Sequence, residues 1–255
     1  MPAQVHAFLC LQDNIGALIH DPNTGACAAI DAPEEAPILA ALAETGWQLT
    51  DILVTHRHSD HVQGIEALKA RTGCRVVAPS KARAQVPQAD AYVQEGDTVH
   101  VGDLQAHVWE TPGHCSDHVS YWFAADRVLF CGDTLFTLGC GRVLDGSYPD
   151  LWHSLQRLAA LPEEASVYSG HDYVLSNGRF ALAVEPGNAA LKARMEEAET
   201  ARAEGTFLVP STIGAERATN PFLRAGEAGV AKAVNLDAGD PFAVFKALRE
   251  WKNRF

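Results

Sequence analysis

The feature that most constrains this chain is a cluster of metal-ligand side chains at residues 55–61, Thr-His-Arg-His-Ser-Asp-His. Residues 51–55 before it predict a short apolar strand, and residues 61–72 predict a helix. His56 and His58 are two apart in an extended segment, so both can face one cation. Asp60 and His61 lie where the chain turns into the helix and can face a second point a few ångströms away. Imidazole and carboxylate suit zinc, iron or manganese, and two such ions together form a hydrolytic pair.

Three later segments each offer one further ligand at the end of a predicted strand. His114 ends the run Thr-Pro-Gly-His, Asp133 lies in Gly-Asp-Thr, and His171 lies in Gly-His-Asp. Each is weak evidence alone, because a single buried histidine is more often a hydrogen-bonded core residue than a ligand. In this order after residues 55–61, they predict parts of one metal site.

The remaining pattern predicts a sheet protein covered by helices. Strands are predicted at residues 4–10, 14–20, 26–31, 75–78, 106–110, 119–123, 127–131 and 166–169. Residues 34–45 predict a helix that ends at Gly46, and helices are also predicted at residues 177–184 and 188–203 and from Asp240 onward. Because the pattern becomes mainly helical after Tyr173, we expect a catalytic domain over residues 1–172 and a helical domain over residues 173–255.

The charge of -12 and the pI of about 5.3 argue against a nucleic-acid partner, which needs a basic surface. An anionic substrate would need a local basic cluster to reverse this field. No apolar run is long enough to span a membrane, and the N-terminus shows no secretory signal, so we expect a cytoplasmic protein. The six cysteines form no CxxC pair and are expected to be reduced.

The ligand series HxHxDH, TPGH, GDT and GH resembles that of the metallo-β-lactamase superfamily. The resemblance implies an α/β fold, an αββα sandwich with its site at one edge of the sheets. It also implies that each chain binds two divalent metal ions. We expect zinc, and iron or manganese remain possible. One ion takes His56, His58 and His114, the other takes Asp60, His61 and His171, and Asp133 bridges them. Asp31, at a strand end, either supports a ligand histidine or is a turn residue.

More specific segments resemble glyoxalase II, the hydroxyacylglutathione hydrolases. They are GDTLF, GCGR, GHDY, VEPGN, NPFLR and REWK at residues 132–136, 139–142, 170–173, 184–188, 220–224 and 249–252. The resemblance implies hydrolysis of S-D-lactoylglutathione to glutathione and D-lactate, the second step of methylglyoxal detoxification. Asp60 and Asp133 would act with a metal-bridging hydroxide. Glutathione would be bound by Arg142, Tyr173, Arg249 and Lys252.

Arg249 and Lys252 are three apart and share one face of the last predicted helix. Two positions depart from the family pattern. Leu144 stands where an aromatic residue, often tyrosine, is usual, and Asp117 stands where glycine is common. Asp117 either adds a charge near the metals or lies on the surface.

Three alternative functions remain open. They are a persulfide dioxygenase with a single iron, a broader thioesterase, and a metal- or glutathione-binding protein without catalysis. We expect the protein to be a monomer.

Overall fold

Six strands in the first half of the chain form one mixed sheet in the computed structural model, which describes residues 1–255. They are Gln4–Cys10 (β1), Asn14–His20 (β2), Cys27–Ile30 (β3), Asp51–Leu53 (β4), Arg75–Pro79 (β5) and Ala91–Val93 (β6). They lie side by side in chain order. β1 to β3 are antiparallel neighbours, and β3 to β6 are parallel neighbours. The chain divides into two compact units, and this sheet belongs to the first, residues 1–111 and 116–132.

Three helices of the first unit are Glu35–Thr45 (α1), Ser59–Val62 (α2) and Ile65–Thr72 (α3). Ile38 of α1, Ile52 of β4 and Ile65 of α3 belong to one core, and none is more than 1% exposed. Burying each such side chain stabilises the fold by about 1.5–3 kcal/mol. α1 ends at Gly46 as predicted, because this glycine adopts the left-handed conformation and its N–H donates to the carbonyl of Leu42.

The first unit also contains four antiparallel strands in the order β10-β9-β8-β7. They are Thr98–Val101 (β7), Leu104–Glu110 (β8), Val119–Phe123 (β9) and Val128–Gly132 (β10). The start of β9 fixes the chain that follows β4. The Tyr121 hydroxyl donates to the Val54 carbonyl at 2.8 Å, and the Val119 N–H donates to the Thr55 carbonyl at 2.9 Å. The residues after β4 therefore leave the sheet along a defined path.

The second unit, residues 112–115 and 133–255, is mainly helical. In chain order its elements are Leu135–Phe136 (β11), Gly139–Cys140 (β12), Tyr148–Ala159 (α4), Ser166–Ser169 (β13), Val174–Val184 (α5), Ala189–Ala203 (α6), Ser211–Thr212 (β14), Ile213–Thr219 (α7), Ala228–Ala233 (α8) and Pro241–Lys252 (α9). Phe180, Phe222 and Phe245 are fully buried in the interior of this unit, where the Phe222 ring contacts the other two. No helix combines the length and apolar composition needed to cross a membrane.

Several predicted elements are confirmed, and one helix is corrected. β1, β2, β9 and β13 have the predicted ends. α9 begins at Pro241, and the Asp240 side chain accepts a hydrogen bond from the Ala243 N–H at 3.0 Å. The single helix predicted over residues 61–72 is instead two helices, α2 and α3. Gly64 separates them because its N–H donates to the carbonyl of Ala32, in the loop between β3 and α1. A Cβ at Gly64 would press against that carbonyl.

Candidate metal centre

The ligand loop, residues 55–61, carries two of the most buried histidines of the first unit. His56 is fully buried and His61 is 1% exposed, whereas the Asp60 side chain is 39% exposed. α2 begins at Ser59, two residues before the predicted start of the helix, so Asp60 and His61 both lie in its first turn. The short strand β4 delivers the loop, and hydrogen bonds to neighbouring strands fix its first residues. The loop therefore presents its ligands on a well-anchored backbone.

Asp31 supports this loop, which resolves the alternative left open by the sequence. Its Oδ1 accepts from the Thr55 N–H at 2.6 Å, and its Oδ2 accepts from the Thr55 hydroxyl at 2.8 Å. Oδ2 also lies 2.7 Å from His61 Nδ1. Since a carboxylate only accepts, that ring nitrogen carries the proton. Asp31, His56 and His61 are close enough to hold an ion, but the carboxylate of Asp31 is already engaged, so we interpret it as a support rather than a ligand.

The same reasoning defines which nitrogen each buried histidine presents. The Thr55 hydroxyl donates to Asp31, so at 3.0 Å it accepts from His56 Nδ1–H. His56 and His61 therefore both carry a proton on Nδ1 and direct Nε2 toward the other predicted ligands. His56 Nε2 lies 3.0 Å from His58 Nδ1, and His61 Nε2 lies 3.6 Å from Asp60 Oδ2. Each pair brings together two atoms of the kind that bind a metal ion.

Asn14 and His118 are two further buried groups at the ligand loop. The Asn14 side-chain amide donates to the Asp60 carbonyl at 3.1 Å and to Asp60 Oδ2 at 3.2 Å. It therefore fixes both the backbone and the carboxylate of a predicted ligand. The His118 ring stacks on the His56 ring with 4.9 Å between centroids, and its Nδ1 lies 3.0 Å from the Thr111 hydroxyl.

Asp117 neither lies on the surface nor adds a free charge, because it is buried and paired with Arg57. Its carboxylate is 2% exposed and accepts from the Arg57 N–H at 2.9 Å through Oδ2. Oδ1 forms an ion pair with the Arg57 guanidinium. Arg57 stands between His56 and His58, so this pair fixes the backbone that joins two predicted ligands.

The second unit brings the other three predicted ligands together. His114 Nε2 and His171 Nε2 lie 3.5 Å and 3.3 Å from Asp133 Oδ2. His114 Nδ1 donates to the Arg142 carbonyl at 2.7 Å, so Nε2 is the ring atom that faces the carboxylate oxygen of Asp133. A Cβ at Gly141 would collide with the Asp133 carbonyl, so only glycine fits this position of the GCGR segment.

The four predicted glutathione residues also lie in the second unit. Tyr173 stacks on His171 with 4.8 Å between ring centroids and 5° between planes. Arg249 is 5% exposed, donates to the Cys140 carbonyl at 2.8 Å, and has no partner at Nε. Lys252 Nζ donates to the Ser176 carbonyl at 3.1 Å. Arg142 is exposed, and no ion pair joins Arg142, Arg249 or Lys252 to a carboxylate.

Three arginines lie near enough to Lys252 to affect its charge. Its pKa is lowered from 10.5 to about 8, first because burial disfavours the charged amine and then because Arg249, Arg179 and Arg142 repel it. Arg179 is thus a member of the group that the sequence analysis did not identify. Leu144 contributes only its backbone N–H, which donates to the His114 carbonyl at 3.0 Å, while its side chain is 57% exposed.

Comparison with known proteins assigns both halves of the chain. The family model of the metallo-beta-lactamase superfamily matches residues 22–171, and that of the hydroxyacylglutathione hydrolase C-terminus matches residues 172–255. A hydroxyacylglutathione hydrolase from Methylobacterium nodulans is 63% identical over 253 residues, 99% of each chain. One from Rhodopseudomonas palustris strain BisA53 is 53% identical over 254 residues, 100% of each chain. The crystal structure of ETHE1 from Myxococcus xanthus has a TM-score of 0.68 and 28% identity, covering 97% of this chain and 90% of that one.

These matches confirm the predicted fold, with its mixed α/β sheets and helical C-terminal region. The histidine and aspartate clusters, together with the superfamily, suggest a dinuclear metal site. The matched relatives are similar to this chain from end to end, including the helical region. The chain belongs to the hydroxyacylglutathione hydrolase family of the metallo-β-lactamase superfamily.

Proposed function

We propose that this chain hydrolyses the thioester bond of S-(2-hydroxyacyl)glutathione, with S-D-lactoylglutathione as the substrate and D-lactate and glutathione as products. The observation that carries this proposal is the set of cations in the second unit that have no carboxylate partner. Arg249 is buried, and a buried guanidinium without a counter-ion is costly unless an anion binds to it. Glutathione supplies carboxylates, and the full-length relatives carry the name of this activity.

We further propose that the seven predicted ligands hold two divalent ions. His56, His58 and His114 would bind one, Asp60, His61 and His171 the other, and Asp133 both. The hydrogen bonds at Nδ1 of His56, His61 and His114 support this assignment, because each fixes its ring so that Nε2, a metal-ligand atom, faces another predicted ligand. Zinc is the ion that we propose, although the same nitrogen and oxygen donors accept iron and manganese. Two such ions lower the pKa of water and polarise a carbonyl when they are bound.

The protein's own residues position the reactants and fix the charge around them. Asp31 and Thr55 hold the rings of His56 and His61 in one tautomer. Hydrolysis adds water to the thioester carbonyl carbon and breaks the C–S bond. Glutathione leaves as a thiolate, and because an ordinary thiol has a pKa of about 8.5, no strong general acid is needed.

Arg142, Tyr173, Arg249 and Lys252 are proposed to bind the glutathione moiety, and residues 173–255 to serve as its binding domain. A carboxylate held by Arg249 and Lys252 gains charge-assisted hydrogen bonds, each about twice as strong as a neutral one. Such a local cluster can attract a dianion although the whole chain carries a charge of -12.

The test is hydrolysis of S-D-lactoylglutathione by the purified protein, with the metal content determined on the same sample. We expect turnover that is lost on chelation and restored by added zinc, with about two ions bound per chain. Two bound ions without turnover would reject the substrate and retain the metal site. Turnover that survives complete removal of metal would reject the hydrolytic role of the site.

A further inference from the structure

One face of α5 carries three polar residues at helical spacing, Tyr173, Ser176 and Arg179. Residues three apart on a helix are neighbours on its surface. All three line a pocket of about 220 Å³, together with Arg202, Thr206 and Phe207 from the end of α6 and the residues after it. Asp172 also lines this pocket, but its carboxylate lies 3.8 Å from the Arg202 guanidinium, whereas Arg179 has no such partner.

This row meets the basic face of α9. Lys252 Nζ donates to the carbonyl of Ser176 at 3.1 Å and lies 3.4 Å from its hydroxyl. Ser176 lies one helical turn from Arg179, and Arg249 lies one turn from Lys252. The two helix faces therefore meet at Ser176 and Lys252, and Arg179 is near enough to Lys252 to repel its charge.

The four cations of this surface, Arg142, Arg179, Arg249 and Lys252, are called here the cationic cluster. No ion pair joins any of them to a carboxylate. Arg202 differs, because its guanidinium lies 3.8 Å from Asp172. A surface arginine is often only a solvated charge, but Arg179 adds repulsion to a group that is already partly desolvated. An arrangement of this kind is stabilised when an anion binds.

We propose that Arg179, at the pocket beside the start of α5, binds the second carboxylate of the glutathione thioester, while Arg249 and Lys252 bind the first. This inference depends on the proposed function, since it concerns the same substrate. Glutathione has one carboxylate at the γ-glutamyl end and one at the glycine end, so a single pair of cations on α9 leaves the other carboxylate for α5. Arg179 is then a substrate-binding residue that selects for a doubly anionic thioester.

The experiment compares Arg179→Gln with Arg179→Lys and with the control Lys192→Gln, which removes one exposed charge from α6 of the same unit. Each variant is assayed with S-D-lactoylglutathione and with two truncated thioesters. One is the N-acetyl-cysteinylglycine thioester, which lacks the γ-glutamyl carboxylate, and the other is the γ-glutamylcysteine thioester, which lacks the glycine carboxylate. We expect Arg179→Gln to raise KM for the full substrate about tenfold, which corresponds to 1.4 kcal/mol, with kcat unchanged. Arg179→Lys should recover part of this loss, and the control should behave as the native protein.

The truncated substrates identify the carboxylate that Arg179 binds. The effect of Arg179→Gln should vanish on the thioester that lacks this carboxylate and persist on the other, as in a double-mutant cycle. An equal effect on all three substrates, or no effect on any, would overturn the proposal. Calorimetric binding of S-methylglutathione, a thioether that cannot be hydrolysed, should show the same loss of affinity. If the native protein hydrolyses none of the thioesters, the proposed function fails instead.

Discussion

The surroundings of the ligand loop and the cationic cluster differ in whether their buried charges have partners within the protein. Two carboxylates that support the loop, Asp31 and Asp117, are both buried and paired, one with Thr55 and His61 and the other with Arg57. In the cluster, Arg249 is equally buried and has no acidic partner. The carboxylates that support the loop are therefore neutralised within the protein, whereas the cluster has charges that only a ligand can neutralise. This difference separates groups that position the chemistry from groups that capture the substrate.

The largest effect that would test this comparison comes from removing a ligand altogether. We expect Asp133→Ala to reduce kcat by at least about a thousandfold and to lower the metal content in parallel, because Asp133 faces both His114 and His171. Turnover and metal analysis on one preparation measure both quantities. Asp103→Ala removes an exposed carboxylate and should leave both unchanged. An active Asp133→Ala protein that retains its metal would remove Asp133 from the site.

The support of the loop should have the next largest effect. Asp31→Ala leaves the Thr55 N–H, the Thr55 hydroxyl and His61 Nδ1 without their acceptor. Loss of such a supporting carboxylate typically costs 10–100-fold in metal affinity, and we expect about that range here. Asp31→Asn keeps one carbonyl oxygen and should lose less. Competition with a chelator measures the affinity, and an unchanged value for Asp31→Ala would show that the loop does not depend on Asp31.

The predictability of the two regions differs for a physical reason. The ligands in residues 55–61 could be recognised because metal binding requires certain residue types at fixed spacing along one segment. Asp31 was a candidate because it ends a strand. Asn14 could not be predicted, since its contact with Asp60 joins residues that are 46 positions apart.

The cationic cluster and the break at Gly64 show the same limit. Arg249 and Lys252 share a helix face, which spacing alone predicts, but Arg179 becomes a neighbour only through the packing of α5 against Lys252. The pattern of residues 61–72 is helical throughout, and no local signal shows that the N–H of Gly64 bonds to Ala32. In both cases the missing information is a contact between distant segments.

A smaller effect should follow from releasing Arg57 from Asp117. Asp117→Ala leaves a partly buried guanidinium without its counter-ion and frees the backbone between His56 and His58. We expect metal affinity to fall by about tenfold. Arg57→Ala together with Asp117→Ala should cost less than the sum of the single changes, because the double variant leaves no unpaired charge. Additive losses would show that the ion pair does not act as a unit.

The smallest effect concerns Lys252 and distinguishes the cluster from the loop. The pKa of Lys252 is lowered to about 8, so the amine loses its proton as the pH rises through that value, while the neighbouring arginines stay charged. An anionic substrate prefers the protonated amine. Affinity should therefore be highest below pH 8 and fall above it, with KM rising several-fold by about pH 9.5.

Replacing Lys252 by arginine provides the control for this pH dependence. Arginine keeps its charge over this range, so Lys252→Arg should abolish the rise in KM above pH 8. KM for S-D-lactoylglutathione, corrected for spontaneous thioester hydrolysis at each pH, measures the effect. The substitutions at Asp31, Arg57 and Asp117 should leave this pH profile in place, because they do not alter the charges around Lys252. A profile that persists in Lys252→Arg would place the titrating group outside the cationic cluster.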